Sequence, residues 1–223
     1  MDRSFYFDSL YPFQDEILRT LAGIDTGFYL TGGTAVSRGY LQHRFSDDLD
    51  FFVNDDPRFR LWSDRLIQGL TSNSTWTLNV RAREERYVRL QVERATVSLK
   101  LELVNDVPSH VGSILVHPVL GRLDSAENIL ANKITALLDR QEPKDLADLW
   151  GFCCLRGLSI EGALADAGSK AAGVFPADLA RILLSATLAD WELVRWIEAP
   201  TAERFLADLR RLGEDLLLLH PPQ

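Results

Sequence analysis

A change of period along the chain constrains its fold more than any other feature. Three segments, Trp76 to Ala82, Tyr87 to Glu93 and Val97 to Val104, alternate apolar and polar residues, which is the pattern of strands with one buried face. From Ser125 onward the apolar residues recur at helical spacing, over Ser125 to Arg140, Pro143 to Leu155, Pro176 to Ile197 and Thr201 to Leu219. Two periods in separate stretches exclude a single helical bundle and a pure β-sandwich. They call for an α/β (α+β) half, in which a mostly antiparallel meander has flanking helices, followed by an all-helical half. Ahead of the meander, Leu10, Phe13, Ile17, Leu18 and Leu21 predict a helix over 9–24, and Asp25-Thr26-Gly27 breaks it before a short strand from Phe28 to Leu30. A helix over Thr34 to His43, a strand over Asp48 to Val53 and a proline-opened helix over Pro57 to Leu70 follow. The predicted division is residues 1–123 and 124–223.

The strand Asp48 to Val53 carries a contradiction. Residues two apart share a strand face, so Leu49, Phe51 and Val53 point to the core while Asp48, Asp50 and Phe52 point the other way. In Val97 to Val104 the same alternation puts Val97, Leu99, Leu101 and Leu103 on the apolar face, and Ser98, Lys100 and Glu102 opposite. Three carboxylates brought together repel and raise one another's pKa values. Hard oxygen donors of this kind suit Mg²⁺, with nucleotide phosphates in the remaining coordination positions. A metal ion is the compensation this pattern points to.

The glycines upstream fit such a site. A strand running into Gly32-Gly33-Thr34 and then a helix offers exposed backbone N–H groups, close approach without side chains and a hydroxyl at the helix start, all suited to a polyphosphate. A glycine pair alone marks any strand-to-helix turn, and D-x-D alone marks any solvated pair. Together, in this order and context, they define a candidate site.

Composition narrows the function classes. Among 223 residues, no run approaches the roughly 20 apolar residues of a membrane span. The N-terminus lacks a signal-peptide pattern, so a cytoplasmic location without membrane contact is expected. Cys153 and Cys154 are the only cysteines, too few for a disulfide framework or a cysteine-rich zinc site, and they read as small fillers on a helix. His43, His110, His117 and His220 show no metal-ligand spacing. The net charge of −8 gives no basic footprint for extended duplex binding. Arg81, Arg83, Arg86, Arg89 and Arg94 do crowd one region, interleaved with Glu84, Glu85 and Glu93, and read as a solvated hairpin surface that leaves room for a local nucleic-acid contact. Trp150, Trp191 and Trp196 read as core of the helical half.

Lys133 emerges from the apolar stripe formed by Ile129, Leu130 and Leu137. A lysine there either snorkels to water or meets an anion, and the anion is a triphosphate or a carboxylate such as Asp145. Asp145 and Asp148 either cap their helix, pair with Lys144, or belong to a site.

The run "TGGTAVSRGYLQHRFSDDLDFF" resembles the first motif of the nucleotidyltransferase superfamily, specifically its AbiEii/AbiGii-type toxin branch with MenT-like members. In that branch a glycine turn is followed by an R-x-S-x-D-x-D-F-F strand, here Arg44, Ser46, Asp48, Asp50, Phe51 and Phe52. K-x-E at Lys100 and Glu102, K-x-x-A-x-x-x-R at Lys133, Ala136 and Arg140, and K-D-x-x-D-L at Lys144, Asp145, Asp148 and Leu149 follow in the family's order. The likeness covers about residues 28–150, and past Trp150 only helical character remains.

The resemblance implies a nucleotidyltransferase-type mixed sheet, with the C-terminal helical domain completing the active-site cleft. It implies catalysis by Asp48, Asp50, Glu102 and Lys133, with Mg²⁺ or Mn²⁺ held by Asp48 and Asp50 and with Glu102 as third ligand or general base. Gly32, Gly33, Thr34, Arg44, Ser46, Lys100, Asp145 and Asp148 are then expected to bind the nucleotide. The activity implied is transfer of an NMP from an NTP to an acceptor hydroxyl by a toxin of a toxin–antitoxin or phage-defence pair, with a cognate antitoxin. The 3′ end of tRNA is the acceptor of some relatives. Transfer to another RNA, to a protein or to a small molecule, and a non-catalytic nucleotide-binding regulator, are the competing readings.

Overall fold

The computed structural model describes residues 3–219, so His220 lies outside the described residues. The chain divides into two compact units. The first takes the chain up to Tyr40, Phe45–Pro108 and Ser113–Asp124; the second takes Leu41–Arg44, Ser109–Gly112 and the chain from Ser125 on.

The first unit is built on a seven-stranded mixed sheet. Its strands are β1 (Tyr29–Thr31), β2 (Leu49–Asn54), β3 (Thr77–Arg83), β4 (Tyr87–Arg94), β5 (Val97–Asp106), β6 (Leu115–His117) and β7 (Gly121–Leu123). They lie in the order β3-β4-β5-β2-β1-β7-β6. The predicted antiparallel meander is β3-β4-β5. Beyond it the sheet changes character, because β2 runs parallel to β5 and antiparallel to β1, and β1 runs parallel to β7. The apolar stretch Ile114 to Val119 contributes to a small β6–β7 hairpin at the sheet edge.

Helices α1 (Tyr11–Ala22) and α3 (Phe59–Thr71) belong to this unit. Their buried residues Phe13, Ile17, Leu18, Leu66 and Leu70 join Leu30, Leu49, Leu90, Leu99 and Leu101 of the strands in the core. Full burial of such side chains is worth about 1.5–3 kcal/mol each. The helix predicted over Thr34 to His43 starts earlier, as a single turn α2 (Gly32–Thr34), and continues as a wider π turn over Ala35–Leu41. Asp124, fully buried, closes the unit: its carboxylate accepts from the Thr31 hydroxyl at 2.6 Å and its carbonyl from the Tyr40 hydroxyl.

The helices of the second unit are α4 (Ala126–Arg140), α5 (Pro143–Trp150), α6 (Ile160–Gly168), α7 (Pro176–Leu184), α8 (Leu188–Leu193) and α9 (Ala202–Leu219). Ser125 caps α4 by accepting from the Asn128 N–H, and Ser159 caps α6 through Gly162. The single helix expected over Pro176 to Ile197 is broken. Thr187 and Asp190 form a capping box, and such a box starts a new helix rather than continuing an old one. Trp150 is buried and packs edge-on against Trp196 and Phe205 with ring centroids 6.0 and 5.7 Å away. Trp191 and Trp196 are only half buried. Cys153 and Cys154 are free, and burial pushes their thiols up to about 12 and about 11, which leaves them unreactive. Among the described residues no helix is long and apolar enough to cross a membrane.

Candidate active site

On the first unit the alternation holds. Leu49, Phe51 and Val53 are buried, while Asp48, Asp50 and Phe52 are partly open. Asp50 stands directly beside Glu102 in the parallel β2–β5 register, and opposite Thr31 on its other side. Two neighbouring strands thus carry Asp50 and Glu102 side by side, and Asp48 lies one residue ahead of β2, which starts at Leu49 and not at Asp48 as expected.

A lysine links them. Lys100 Nζ lies 3.0 Å from Asp48 Oδ2 and 3.4 Å from Glu102 Oε2. The other oxygen of Glu102 accepts from the Tyr87 hydroxyl and, at 2.9 Å, from Arg89 Nε, which also reaches the Tyr87 oxygen at 2.7 Å. Burial raises the Glu102 carboxyl, but the Tyr87 hydrogen bond with Lys100 and Arg89 outweighs it and holds the group below its ordinary value. Tyr87 and Arg89 were not foreseen as neighbours of the site. Their signal appears only in the strand register, where Arg89 stands opposite Glu102.

The donor set is of the chemical kind that a divalent cation takes. It consists of hard carboxylate oxygens, and the charge they gather is already answered by a cation, the Lys100 ammonium. No three acidic, histidine or cysteine side chains are gathered as a finished ligand set among the described residues, and one oxygen of Glu102 is turned to Tyr87 and Arg89.

The glycine turn is fitted to the aspartate. Gly32 adopts φ +66°, and a Cβ there would come within 2.1 Å of Asp50 Oδ2, so this position excludes side chains on two grounds. Gly33 follows it in the same turn. Thr34 behaves differently from the expectation. It is fully buried, and its hydroxyl donates to the Asp48 carbonyl and lies 3.1 Å from Ser46 Oγ. Ser46 is buried as well, its N–H donating to the Tyr11 hydroxyl at 3.4 Å. In this structure these two hydroxyls lie together at the approach to β2.

On the second unit, Arg44, Lys133, Asp145 and Asp148 are brought together in a buried network. Arg44 donates to both oxygens of Asp148 at 2.7 Å. Lys133 Nζ lies 2.7 Å from Asp145 Oδ1 and 2.7 Å from Asp148 Oδ2, and Arg140 closes on the second oxygen of Asp145 at 2.8 Å. Two buried carboxylates therefore face two buried cations and one half-exposed arginine. Burial would raise Asp148, yet Arg44, Lys133 and the His43 hydrogen bond drive it well below the ordinary carboxylate range. Lys133 is 6% exposed, which rules out snorkelling; it meets carboxylates. Asp145 and Asp148 neither merely cap their helix nor pair with Lys144, which bonds Glu142.

His43 belongs to the same network. Its Nε2 lies 3.0 Å from Asp148 Oδ1, and a carboxylate in this state only accepts, so Nε2 carries the proton. Its buried Nδ1 has no hydrogen-bond partner among the described residues. Burial, opposed by Asp148, lowers the ring's pKa, and the neutral ring leaves Nδ1 as a bare lone pair. The arginine cluster on the hairpin, exposed except for the partly buried Arg94, is committed: Arg81, Arg83, Arg86, Arg89 and Arg94 each lie within ion-pair distance of a carboxylate, on Glu93, Asp64, Asp55, Glu102 and Glu16.

With this geometry in place, comparison with known proteins gives a consistent answer. The family model described as nucleotidyl transferase AbiEii toxin of type IV toxin–antitoxin systems matches residues 16–211. The chain belongs to this family of nucleotidyltransferase toxins. Among solved structures it is similar to JHP933 from Helicobacter pylori, at 20% identity and a TM-score of 0.65, covering 93% of this chain and 90% of that one. It is similar also to MenT4, a nucleotidyltransferase toxin from Mycobacterium tuberculosis, at 18% identity and a TM-score of 0.64, covering 93% of this chain and 82% of that one. At such identities the likeness is one of fold. No curated protein matches the sequence.

Proposed function

We propose that this protein is a metal-dependent nucleotidyltransferase toxin that moves an NMP from an NTP to an acceptor hydroxyl. The observation that carries the reading is the meeting of Asp50 and Glu102 on neighbouring strands, with Asp48 one residue ahead of β2, beside a glycine turn that only Gly32 can make against Asp50. Asp48 and Asp50 would hold the divalent cation, with Glu102 as a third ligand or as the base that takes the acceptor's proton. Such a cation, when bound, supplies charge stabilisation for the attacking and leaving oxygens of an in-line displacement. The Gly32-Gly33 backbone would cradle phosphate, with a side chain excluded at Gly32, and Lys100 would neutralise the departing pyrophosphate.

Membership of a toxin–antitoxin family supports a cognate antitoxin as partner. For the acceptor, the paired arginines of the hairpin offer no free cationic track, which favours a small target such as an RNA 3′ end over extended duplex. The test is incubation of the full chain with each α-labelled NTP, Mg²⁺ and total RNA or total protein. Label on one RNA class supports the reading, label on protein redirects it to protein nucleotidylation, and no label on any acceptor with any NTP overturns it.

A further inference from the structure

Lys100 stands between two of the carboxylates assigned above to a divalent cation or its chemistry. Its ammonium bridges Asp48 Oδ2 at 3.0 Å and Glu102 Oε2 at 3.4 Å, and Asp50 lies in register beside Glu102. Arg89 sits on the far oxygen of Glu102, whereas Lys100 joins two of the carboxylates. At these distances the ammonium is a built-in countercharge to both carboxylates.

A divalent cation drawn to Asp48 and its neighbouring carboxylates would meet an ammonium already paired with Asp48 and Glu102. Like charges so close repel strongly, and the two cannot share the place. Lys100 is free to leave, because its side chain is 32% exposed and its four-carbon stem is flexible. Leaving alone, it would give up two carboxylates for water. Leaving toward a triphosphate, it would exchange one set of anionic oxygens for another.

We propose that Lys100 is an internal counter-ion that opposes binding of free metal at Asp48 and Glu102 and yields the place only when metal arrives together with a nucleoside triphosphate. The inference rests on the NTP reading of the site given above. It makes Lys100 the origin of a coupling: the factor by which nucleotide raises metal affinity is the factor by which metal raises nucleotide affinity. The device would keep the carboxylates screened without letting them scavenge metal, and would tie site assembly to substrate.

The test is titration of the full chain with Mn²⁺, followed by electron paramagnetic resonance, with and without an NTP whose α–β bridge cannot be cleaved. In the absence of nucleotide, Lys100→Met should bind Mn²⁺ tighter than wild type by roughly tenfold or more, within the range such couplings take. The factor by which nucleotide tightens Mn²⁺ binding should shrink in the same variant. Lys100→Arg, which keeps the charge, should bind free Mn²⁺ as weakly as wild type. If Lys100→Met does not fold, Lys100→Gln carries the same comparison. Equal or weaker Mn²⁺ binding by the neutral variant overturns the proposal. Nucleotide-tightened binding that the neutral variant leaves untouched overturns the part of Lys100 alone, whereas no effect of any NTP on Mn²⁺ binding by wild type overturns both the coupling and the nucleotidyltransferase reading.

Discussion

Arg44 grips Asp148 with two parallel hydrogen bonds of 2.7 Å, although the residues are 104 positions apart in sequence. Both side chains are buried. Removing Arg44 leaves the buried Asp148 charge to Lys133 and His43 alone, and breaking one partner out of a buried pair costs up to about 3–5 kcal/mol. Arg44→Met is therefore expected to lower unfolding free energy by that amount in urea denaturation. A loss below 1 kcal/mol would mean that the pair is not what holds this region.

Lys133→Met separates two roles. Because Lys133 touches Asp145 and Asp148, the variant should be destabilised, again by about 3–5 kcal/mol. A variant as stable as wild type yet inactive in label transfer would instead put Lys133 at the reacting phosphates.

Asp48→Asn and Asp50→Asn should each cut label transfer by about a hundredfold or more, since metal-based stabilisation of developing charge is worth several kcal/mol. Both residues are partly exposed, so both variants should remain folded by circular dichroism. Undiminished transfer by the pair would remove the carboxylates from the chemistry.

Gly32→Ala should fail for a local reason. Its Cβ would clash with Asp50 at 2.1 Å in a backbone at φ +66°. The left-handed conformation alone costs of order 1–3 kcal/mol for a non-glycine residue. Melting temperature should fall, and transfer should fall further than stability explains, because Asp50 is pushed aside. Transfer at the wild-type rate would show that Asp50 tolerates displacement.

His43 should make the protein acid-sensitive. Its folded pKa is depressed below 6.5, so the unfolded chain takes up the proton first as pH falls. The stability associated with the neutral ring is full above about pH 6.5 and is lost as pH drops toward the folded pKa, by up to about 1.4 kcal/mol per pH unit between the two values. Urea denaturation from pH 7.5 to 5 should show this slope, and His43→Gln should flatten it. An equal slope in the variant would assign the sensitivity elsewhere.

The sequence was most legible where the deciding pattern is local. Leu49, Phe51 and Val53, and Leu99, Leu101 and Leu103, are buried as period two requires, and the carboxylates follow by alternation. The β6–β7 hairpin escaped because its strands are three residues each, too short to show a period. The break before α8 was written in Thr187 and Asp190 but overridden by the apolar periodicity on both sides. The contacts of Arg44 with Asp148 and of Arg89 with Glu102 depend on which distant segments meet, and no spacing rule reaches that far. Thr34 shows a further gap: a hydroxyl at a helix start can face a ligand or turn inward, and only packing decides.

The placement of Leu41–Arg44 in the second unit, between two stretches of the first, bears on how this chain can be made. A fragment ending near residue 124 would carry His43 and Arg44 without the acid they serve, and the complementary fragment would carry a buried aspartate stripped of its guanidinium. During synthesis Arg44 emerges long before Asp148 and must wait for it. Contacts of this sequence separation slow folding, because loop closure is met before the contact rewards it. The helical half should thus be a late and cooperative step of folding, and attempts to cut the protein into separately expressed halves should yield pieces prone to aggregation.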